Sequence, residues 1–541
     1  MPRASESSRR GSATMGIARR RSPSARMLAV LAGAQLPSLA AALHVAVVIP
    51  PGSPSVMMVP LIHGCTDRGH SVSVLAYDNW IDKIKPIAPQ ASYVSLGPSK
   101  RVEMDEQKAG IIWGMPYEVM PFFSSLMISL VLEAMLGWPL NQAAFPEIQR
   151  LRPDVMLGCN VFGTTYSLGE AAGVPVVGVA FGPQVWMTAV EAPWSSEPAV
   201  GSMFTREEIA ASPYLTVMNS GARWLGFGAR FVGLLAHNYR RWWLGLGFQS
   251  DMFESIYSNP MIIPTLPELS GGYPAGGTAY SVMVGMYDHP AMGGATMAKS
   301  AQHAEIIEWL DRHQEQGNNV LYVAFGSELI IDKHRLELLI SAFSTLKLNV
   351  LWAMKHPPKD LKVPPHIFVT PWSPQKAVLS HKAVKAFLSH GGANSLRESL
   401  AAGTPIMVMV VMPDSGLNAV LHEKLGVAMR LSKNNITAEA IGGAFRHLCS
   451  EAVQARAEGV RELNERRADL GRAVEVIEST ALHKYPMEMP KGNGLGVGVL
   501  SSLTFLALTL LVVRCWLRVL GCCFRCCGCR SSGGRVHDKT D

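Results

Sequence analysis

A chain of 541 residues that is 48% hydrophobic and 17% charged is long enough for two or three domains with sizeable cores, and too apolar to be disordered. Its net charge of +7 does not mark a nucleic-acid-binding body, because the basic residues crowd the ends: Arg3, Arg9, Arg10, Arg19, Arg20, Arg21 and Arg26 at one, Arg514, Arg518, Arg525, Arg530 and Arg535 at the other. The body keeps only Cys65, Cys159 and Cys449, which supply no disulfide framework.

In chain order, residues 1–42 read as a signal or targeting segment. Arginines precede an apolar run from Met27 to Leu43 that ends in the small residues Ala40, Ala41 and Ala42, the pattern of a secretory signal; the Arg- and Ser-rich, acid-poor composition also suits an organellar transit peptide. Val45–Pro50 is a strand candidate, followed by a turn at Pro51 to Ser55, a helical run to Thr66, and the strand Ser71–Leu75 after Arg68-Gly69-His70. That order opens a doubly wound α/β domain. His63 and His70 are expected to be packed or solvated. The Met-, Leu- and Phe-rich stretch Met115 to Leu140 suits either an apolar acceptor pocket or plain core packing.

A further strand opens at Asp154-Val155-Met156-Leu157. Between Trp186 and Phe248, Arg223-Trp224-Leu225 and Tyr239-Arg240-Arg241-Trp242-Trp243-Leu244 interleave arginines with aromatics, a composition suited to a membrane interface or to a helix covering a domain. Val282–Gly285 is the expected last strand of the first half, in a Gly- and Pro-rich stretch from Pro264 to Gly294, with 286–304 as the linker.

The second half alternates strands and helices as a Rossmann-like domain should, with strands at Asn319–Phe325, Asn349–Ala353 and His366–Thr370. Then Val384–Leu388 leads into His390-Gly391-Gly392 and a helical run from Asn394 to Ala402, which Gly403 and Pro405 stop. Two glycines let the backbone approach a ligand, and the following helix start aims N–H groups and a positive dipole end at it, so an anion fits best. Asn394 and Ser395 lie in the first turn, and Glu398 stands on the same face as an acceptor for sugar hydroxyls. His390 can donate to a phosphate oxygen, Trp372 offers a flat face for a base, and Gln375 adds an amide. Thr437–Leu482 is strongly helical. Leu495–Val513 carries no charge over 19 residues, enough to cross a bilayer core of about 30 Å. The arginines after it place the 514–541 tail in the cytosol and all upstream in the lumen. Cysteines 515, 522, 523, 526, 527 and 529 suit S-acylation better than zinc.

The order W-x-P-Q at 372–375, H-x-G-x-N-S-x-x-E at 390–398, the prolines and aspartate from Pro405 to Asp414, and Asn418 resembles the signature of the UDP-glycosyltransferases. The resemblance implies a GT-B fold, two facing Rossmann-like domains at 43–285 (acceptor) and 305–485 (UDP-sugar), plus a single C-terminal transmembrane helix at 495–513. It implies that Trp372 and Gln375 hold uracil, that His390, Gly392, Asn394 and Ser395 hold the diphosphate, that Glu398 holds the ribose, and that Ser327 of the Gly326-Ser327 loop faces the donor. Asp414 matches the first member of the family's sugar-holding Asp-Gln pair; the second is Ser415. The family's basic His falls at Pro54 and its orienting Asp at Cys159, beside Asn160, so the catalytic residues are not identified.

No Asp-x-Asp occurs, so neither metal nor cofactor is expected beyond the UDP-sugar co-substrate. The implied reaction moves a hexose or hexuronic acid with inversion onto a lipophilic small molecule; the alternative is a UDP-sugar-binding protein with little or no turnover. The implied setting is a single-pass type I membrane protein of the endoplasmic reticulum or another endomembrane, its catalytic part lumenal, where the sequon Asn435-Ile436-Thr437 is usable.

Overall fold

The computed structural model describes residues 42–49, 57–98, 106–126, 137–159, 163–180, 198–199, 202–249, 258–270, 281–290, 301–326, 329–358, 361–411, 415–483 and 514, and all structural statements are of these. The expected signal segment, the loop at Pro54, Asn160, Ser327, Asp414 and the apolar run Leu495–Val513 lie outside them.

The first sheet is built from short, mostly apolar runs: β1 (His44–Val48), β2 (Ser71–Ala76), β3 (Ser92–Ser95), β4 (Val155–Cys159), β5 (Val176–Val179), β6 (Met261–Ile263) and β7 (Ser281–Met283). Runs such as Val155-Met156-Leu157-Gly158-Cys159, buried at every position, are what a parallel strand covered on both faces requires. All pairings are parallel, in the order β3-β2-β1-β4-β5-β6-β7. The second sheet, from β8 (Val320–Ala324), β9 (Asn349–Ala353), β10 (Ile367–Thr370), β11 (Val384–Ser389), β12 (Ile406–Met409) and β13 (Ala428–Leu431), is also parallel, in the order β10-β9-β8-β11-β12-β13. Each sheet reverses its direction of winding once, between β1 and β4 and between β8 and β11. A crevice opens there beyond the carboxyl ends of the strands, and ligands of doubly wound sheets bind in it.

Helices α1 (Val59–Asp67) and α2 (Asp78–Ile84) connect β1 to β3; α3 (Glu106–Gly114), α4 (Met120–Leu126) and α5 (Gly137–Leu151) precede β4; α6 (Gly163–Ala172) joins β4 to β5; α7 (Arg206–Ala211) and α8 (Pro213–Trp243) precede β6. The second half adds α9 (Ala301–Glu315), α10 (Lys333–Leu346), α11 (Gln375–Leu379), α12 (Ala393–Ala402) and α13 (Ser415–Lys424), then α14 (Ala438–Leu448), α15 (Glu451–Arg467) and α16 (Leu470–His483).

Three expectations are sharpened. The stretch Met115 to Leu140 is not one helix, because the chain turns through residues 115–119 around Pro116 before α4 begins. Its anchors serve core packing: Tyr117 and Met120, with Trp113 just before them, are buried among residues of the second sheet. The strongly helical run after Thr437 is borne out as three helices, α14, α15 and α16. Thr437 caps the first, its hydroxyl accepting from Ala440 N at 3.2 Å. The last, α16, crosses back to bury Ala473, Val474, Val476 and Ile477 in the core under the first sheet, each of the larger side chains contributing about 1.5–3 kcal/mol. Glu478 ties it there through Arg68 at 2.7 Å and His70 at 2.9 Å.

Thirdly, the arginines of α8 do not sit at an interface beside its aromatics. Arg223, Arg240 and Arg241 are buried; Arg240 donates to Thr164 Oγ1 at 3.1 Å, and Arg241 makes a bidentate pair with Glu170 at 2.7 and 2.9 Å. Helical periodicity sends Val232, Leu235, Tyr239 and Trp242, spaced three, four and three residues apart, to solvent instead. Among the described residues no helix is long and apolar enough to cross a membrane.

Candidate functional site

At the switch point of the second sheet, β8 runs out into Phe325-Gly326 and β11 into His390-Gly391-Gly392. Gly391 stands at φ +81, and a Cβ there would lie 2.4 Å from Val408 Cγ1. Only glycine makes this turn without strain. A Cβ on Gly392 would come within 2.5 Å of His390 Nε2, and one on Gly326 within 2.8 Å of His390 Cε1. The imidazole is therefore clamped between two backbones that have no side chain. Burial pushes the His390 pKa down to about 4, so at neutral pH the ring is uncharged and offers one N–H and one lone pair.

Gly392 is the N-cap of α12, and no side chain caps that helix. Its first turn, carrying Asn394 and Ser395, thus presents the positive end of the helix to the crevice. At the other end Gly403, at φ 69, closes the helix in the left-handed conformation, as the Gly403-Thr404-Pro405 sequence predicts.

β10 delivers the rest of the site. Thr370 Oγ1 donates to Trp372 O at 2.8 Å, fixing the bend that leaves Trp372 40% exposed. Gln375, the first residue of α11, is held from both sides: its carbonyl accepts from Tyr322 OH at 3.1 Å, and its amide donates to Glu398 Oε2 at 2.8 Å. Tyr322 OH also bonds Ser373 Oγ at 2.8 Å, and its ring stacks on Phe387 with centroids 4.8 Å apart. Burial drives the Tyr322 phenol well above its ordinary pKa, so it stays a donor. The chain Tyr322, Gln375, Glu398 fixes the amide's orientation and points the carboxylate, leaving Oε1 for a ligand hydroxyl. Sequence reasoning missed Tyr322 and Ser373; the signal was a lone hydroxyl-bearing ring inside the apolar strand Val320-Leu321-Tyr322-Val323-Ala324.

Of the residues expected to hold a donor, Gln375 and Glu398 are linked through one network with Trp372 on the bend just before it, and His390, Gly392, Asn394 and Ser395 form the adjacent loop and helix start. Ser327 and Asp414 fall outside the described residues. Ser415, where the family's glutamine is expected, opens α13 fully buried, beside Gly391, with no hydrogen-bond partner for its hydroxyl among the described residues.

The switch point of the first sheet is furnished differently. β4 ends in Cys159, whose side chain is fully buried in the apolar core. His63 bonds Ile87 O at 2.8 Å and Gln90 at 2.7 Å and stacks on His289, with burial lowering its pKa. His70 takes the Leu43 N–H on Nδ1 and holds Glu478 with Nε2. Both imidazoles are structural.

Residues 286–463 match a family model described as UDP-glucoronosyl and UDP-glucosyl transferase. Among curated proteins the chain is similar to UDP-glycosyltransferase 90A1 of Arabidopsis thaliana, 32% identical over 179 residues, covering 30% of this chain and 35% of the relative. It is likewise similar to a flavonoid 3-O-glucosyltransferase of Medicago truncatula, 30% identical over 148 residues, covering 26% of this chain and 32% of the relative. The chain thus spans about a third of the length of these relatives. Solved structures share the fold over a wider range: the glycotransferase of kitacinnamycin, TM-score 0.56 at 17% identity, covers 81% of this chain and 99% of its own. The glycosyltransferase VinC in complex with DTDP reaches TM-score 0.53 at 15% identity, covering 82% of this chain and 100% of its own. The two parallel sheets are the GT-B glycosyltransferase fold, and residues 286–463 carry the similarity to the UDP-glucuronosyl and UDP-glucosyl transferase family.

Proposed function

We propose that this protein is a UDP-glycosyltransferase that moves a hexose or hexuronic acid from a UDP-sugar to a lipophilic small molecule, with inversion at the anomeric carbon. The observation that carries the reading is the Tyr322–Gln375–Glu398 chain set against the clamped His390 and the uncapped start of α12 at one switch point. Trp372 and Gln375 take the uracil, Glu398 a ribose hydroxyl, and His390 with the first turn of α12 the diphosphate. Ser327, Gly392 and Asp414 complete the proposed donor set. As the sugar departs, negative charge grows on the diphosphate. The helix start and the His390 N–H stabilise it without reorganising, because both are fixed before the reaction. No metal or cofactor is assigned a part; the UDP-sugar is the co-substrate.

Two mutants test the donor site. His390→Ala or Glu398→Ala should weaken UDP binding by about 1–3 kcal/mol, the usual cost of losing a hydrogen bond to a charged or buried partner. Titration calorimetry that finds UDP affinity unchanged in both removes the assignment.

A second reading is a UDP-sugar-binding protein with little turnover. The buried Cys159 at the end of β4, where the resemblance expects an orienting carboxylate, favours it. UDP release with an acceptor panel separates the two readings. Acidic phenols of the flavonoid kind belong on that panel, since one relative is named for a flavonoid acceptor.

The setting we infer is a type I membrane protein of the endoplasmic reticulum or another endomembrane, anchored by Leu495–Val513, with the 514–541 tail cytosolic. The aromatic outer face of α8, with Tyr239 and Trp242 57% and 60% exposed, supports contact with the bilayer interface. Asn435 should then carry a glycan while protease added outside microsomes trims the tail; a protected tail with unmodified Asn435 speaks against it.

A further inference from the structure

On the α10 side of the second sheet lies a cavity of about 760 Å³. Its floor is apolar, formed by Phe325, Leu336, Ile340, Trp352, Met354 and Leu361. Trp352 and Leu336 belong to the core on that side, whereas α11 and α12, which carry the donor residues, pack through Val378, Leu379 and Leu396 on the opposite side. The cavity thus lies on the other side of the sheet from those helices, and its lining residue Gly326 also flanks His390.

The mouth is basic. Lys333, Lys355 and Lys362 line it, with His356 beside them and Glu337 as the single carboxylate among the lining residues. None of the three lysines has an ion-pair partner among the described residues; the neighbouring Arg335 is already taken by Asp332 at 2.7 Å. Cations lining one cavity repel, and the arrangement is relieved by an anion placed among them. A volume in the range of ordinary ligand pockets, apolar below and cationic above, fits a molecule with a hydrocarbon body and a negative head. Nucleotide chemistry fits it poorly, since the only hydroxyl among the lining residues is that of Ser341.

We propose that this cavity binds a single-chain lipid anion, with the hydrocarbon chain against Trp352, Ile340 and Leu361 and the carboxylate or phosphate head between Lys333, Lys355 and Lys362. The site is independent of UDP-sugar recognition. Its wall is braced from elsewhere in the chain: Trp113 Nε1 donates to Ile330 O at 2.8 Å, and the Trp113 ring meets Phe325 edge-on with centroids 5.7 Å apart. The pocket therefore has fixed walls on the β8 side before any ligand arrives.

The experiment uses the full chain in phosphatidylcholine nanodiscs with a palmitic acid analogue bearing a mid-chain diazirine. After irradiation, labelled peptides are mapped by mass spectrometry. Label should fall on peptides covering α10 and residues 352–362. It should be displaced by palmitate or by lysophosphatidate, which separates a carboxylate from a phosphate head, and not by hexadecanol, which lacks the charge. Lys355→Glu combined with Lys362→Glu, both exposed and so harmless to folding, should cut labelling about tenfold through loss of attraction and gain of repulsion. Ile340→Trp, which fills the floor, should do the same with the lysines intact. Labelling of this region that hexadecanol displaces equally, or that survives both variants, overturns the proposal. So does label confined to other peptides, or stoichiometric displacement by UDP.

Discussion

At the switch point of the second sheet, β8, β10 and β11 deliver a ring, an amide, a carboxylate and an imidazole, each held by a neighbour before any ligand is present. At the corresponding point of the first sheet, β4 delivers a thiol buried in the apolar core, and His63 and His70 are spent on bracing α1 and α16. The same topology serves both halves, so topology places a crevice but does not furnish it. On the proposed reading, binding and proton removal would reside in different lobes and could be lost separately.

The largest effect should come from furnishing the poorer lobe. General-base help is worth about a hundred- to ten-thousandfold in rate, so a protein without His and Asp at Pro54 and Cys159 should be slow with ordinary alcohols. Acceptors already ionised near neutral pH, or able to attack without losing a proton, escape that penalty. Pro54→His combined with Cys159→Asp should raise alcohol glycosylation within that range, with acidic phenols gaining little. The pair is needed because an imidazole without its carboxylate adopts the wrong tautomer or orientation. Steady-state assays across acceptors of graded acidity test this; fast transfer to an aliphatic alcohol by the unmodified protein would break the comparison.

Acid should separate the lobes next. His390 and His422 in the second lobe are both pushed from 6.5 down to about 4 by burial. As pH falls from 6.5 towards 4 the unfolded chain takes up protons that the folded chain refuses, so stability is lost through that window and fully present above it. For the deeply buried His422 the limit is on the order of 3 kcal/mol. In the first lobe burial lowers His63, and the Ile87 carbonyl and Asp67 work against its shift. Hydrogen exchange at pH 5 should therefore loosen peptides around β11–β13 before those around β1 and β2. Uniform loss in both would show that the histidines do not set the order.

The smallest effect probes how the donor site is pre-arranged. Tyr322→Phe keeps the ring stack on Phe387 but removes the hydroxyl that holds Gln375, so UDP affinity should fall by about 0.5–1.5 kcal/mol, the net value of one hydrogen bond. Gln375→Ala in the Tyr322→Phe background should then cost less than in the parent. Additive losses in a double-mutant cycle would mean the tyrosine acts elsewhere.

The apolar runs of β1, β4, β8 and β11 made the fold class legible in the sequence, and the spacing of Trp372, Gln375, His390, Asn394 and Glu398 marked residues that the structure gathers at one switch point. They are legible because glycine turns, helix starts and doubly buried parallel strands are local demands, met by residue types at fixed offsets. What lies between distant segments was not legible. Tyr322 reaches Gln375 across 53 positions, Trp113 reaches Ile330 across 217, and α16 closes on His70 across 408. In α8 the sequence showed arginines beside aromatics but not which faced inward. Thr164 and Glu170, brought alongside by α6, made burying Arg240 and Arg241 favourable and left Tyr239 and Trp242 to solvent. Pairing partners for a buried charge come from other elements, so only tertiary packing decides which side of a helix its charges take.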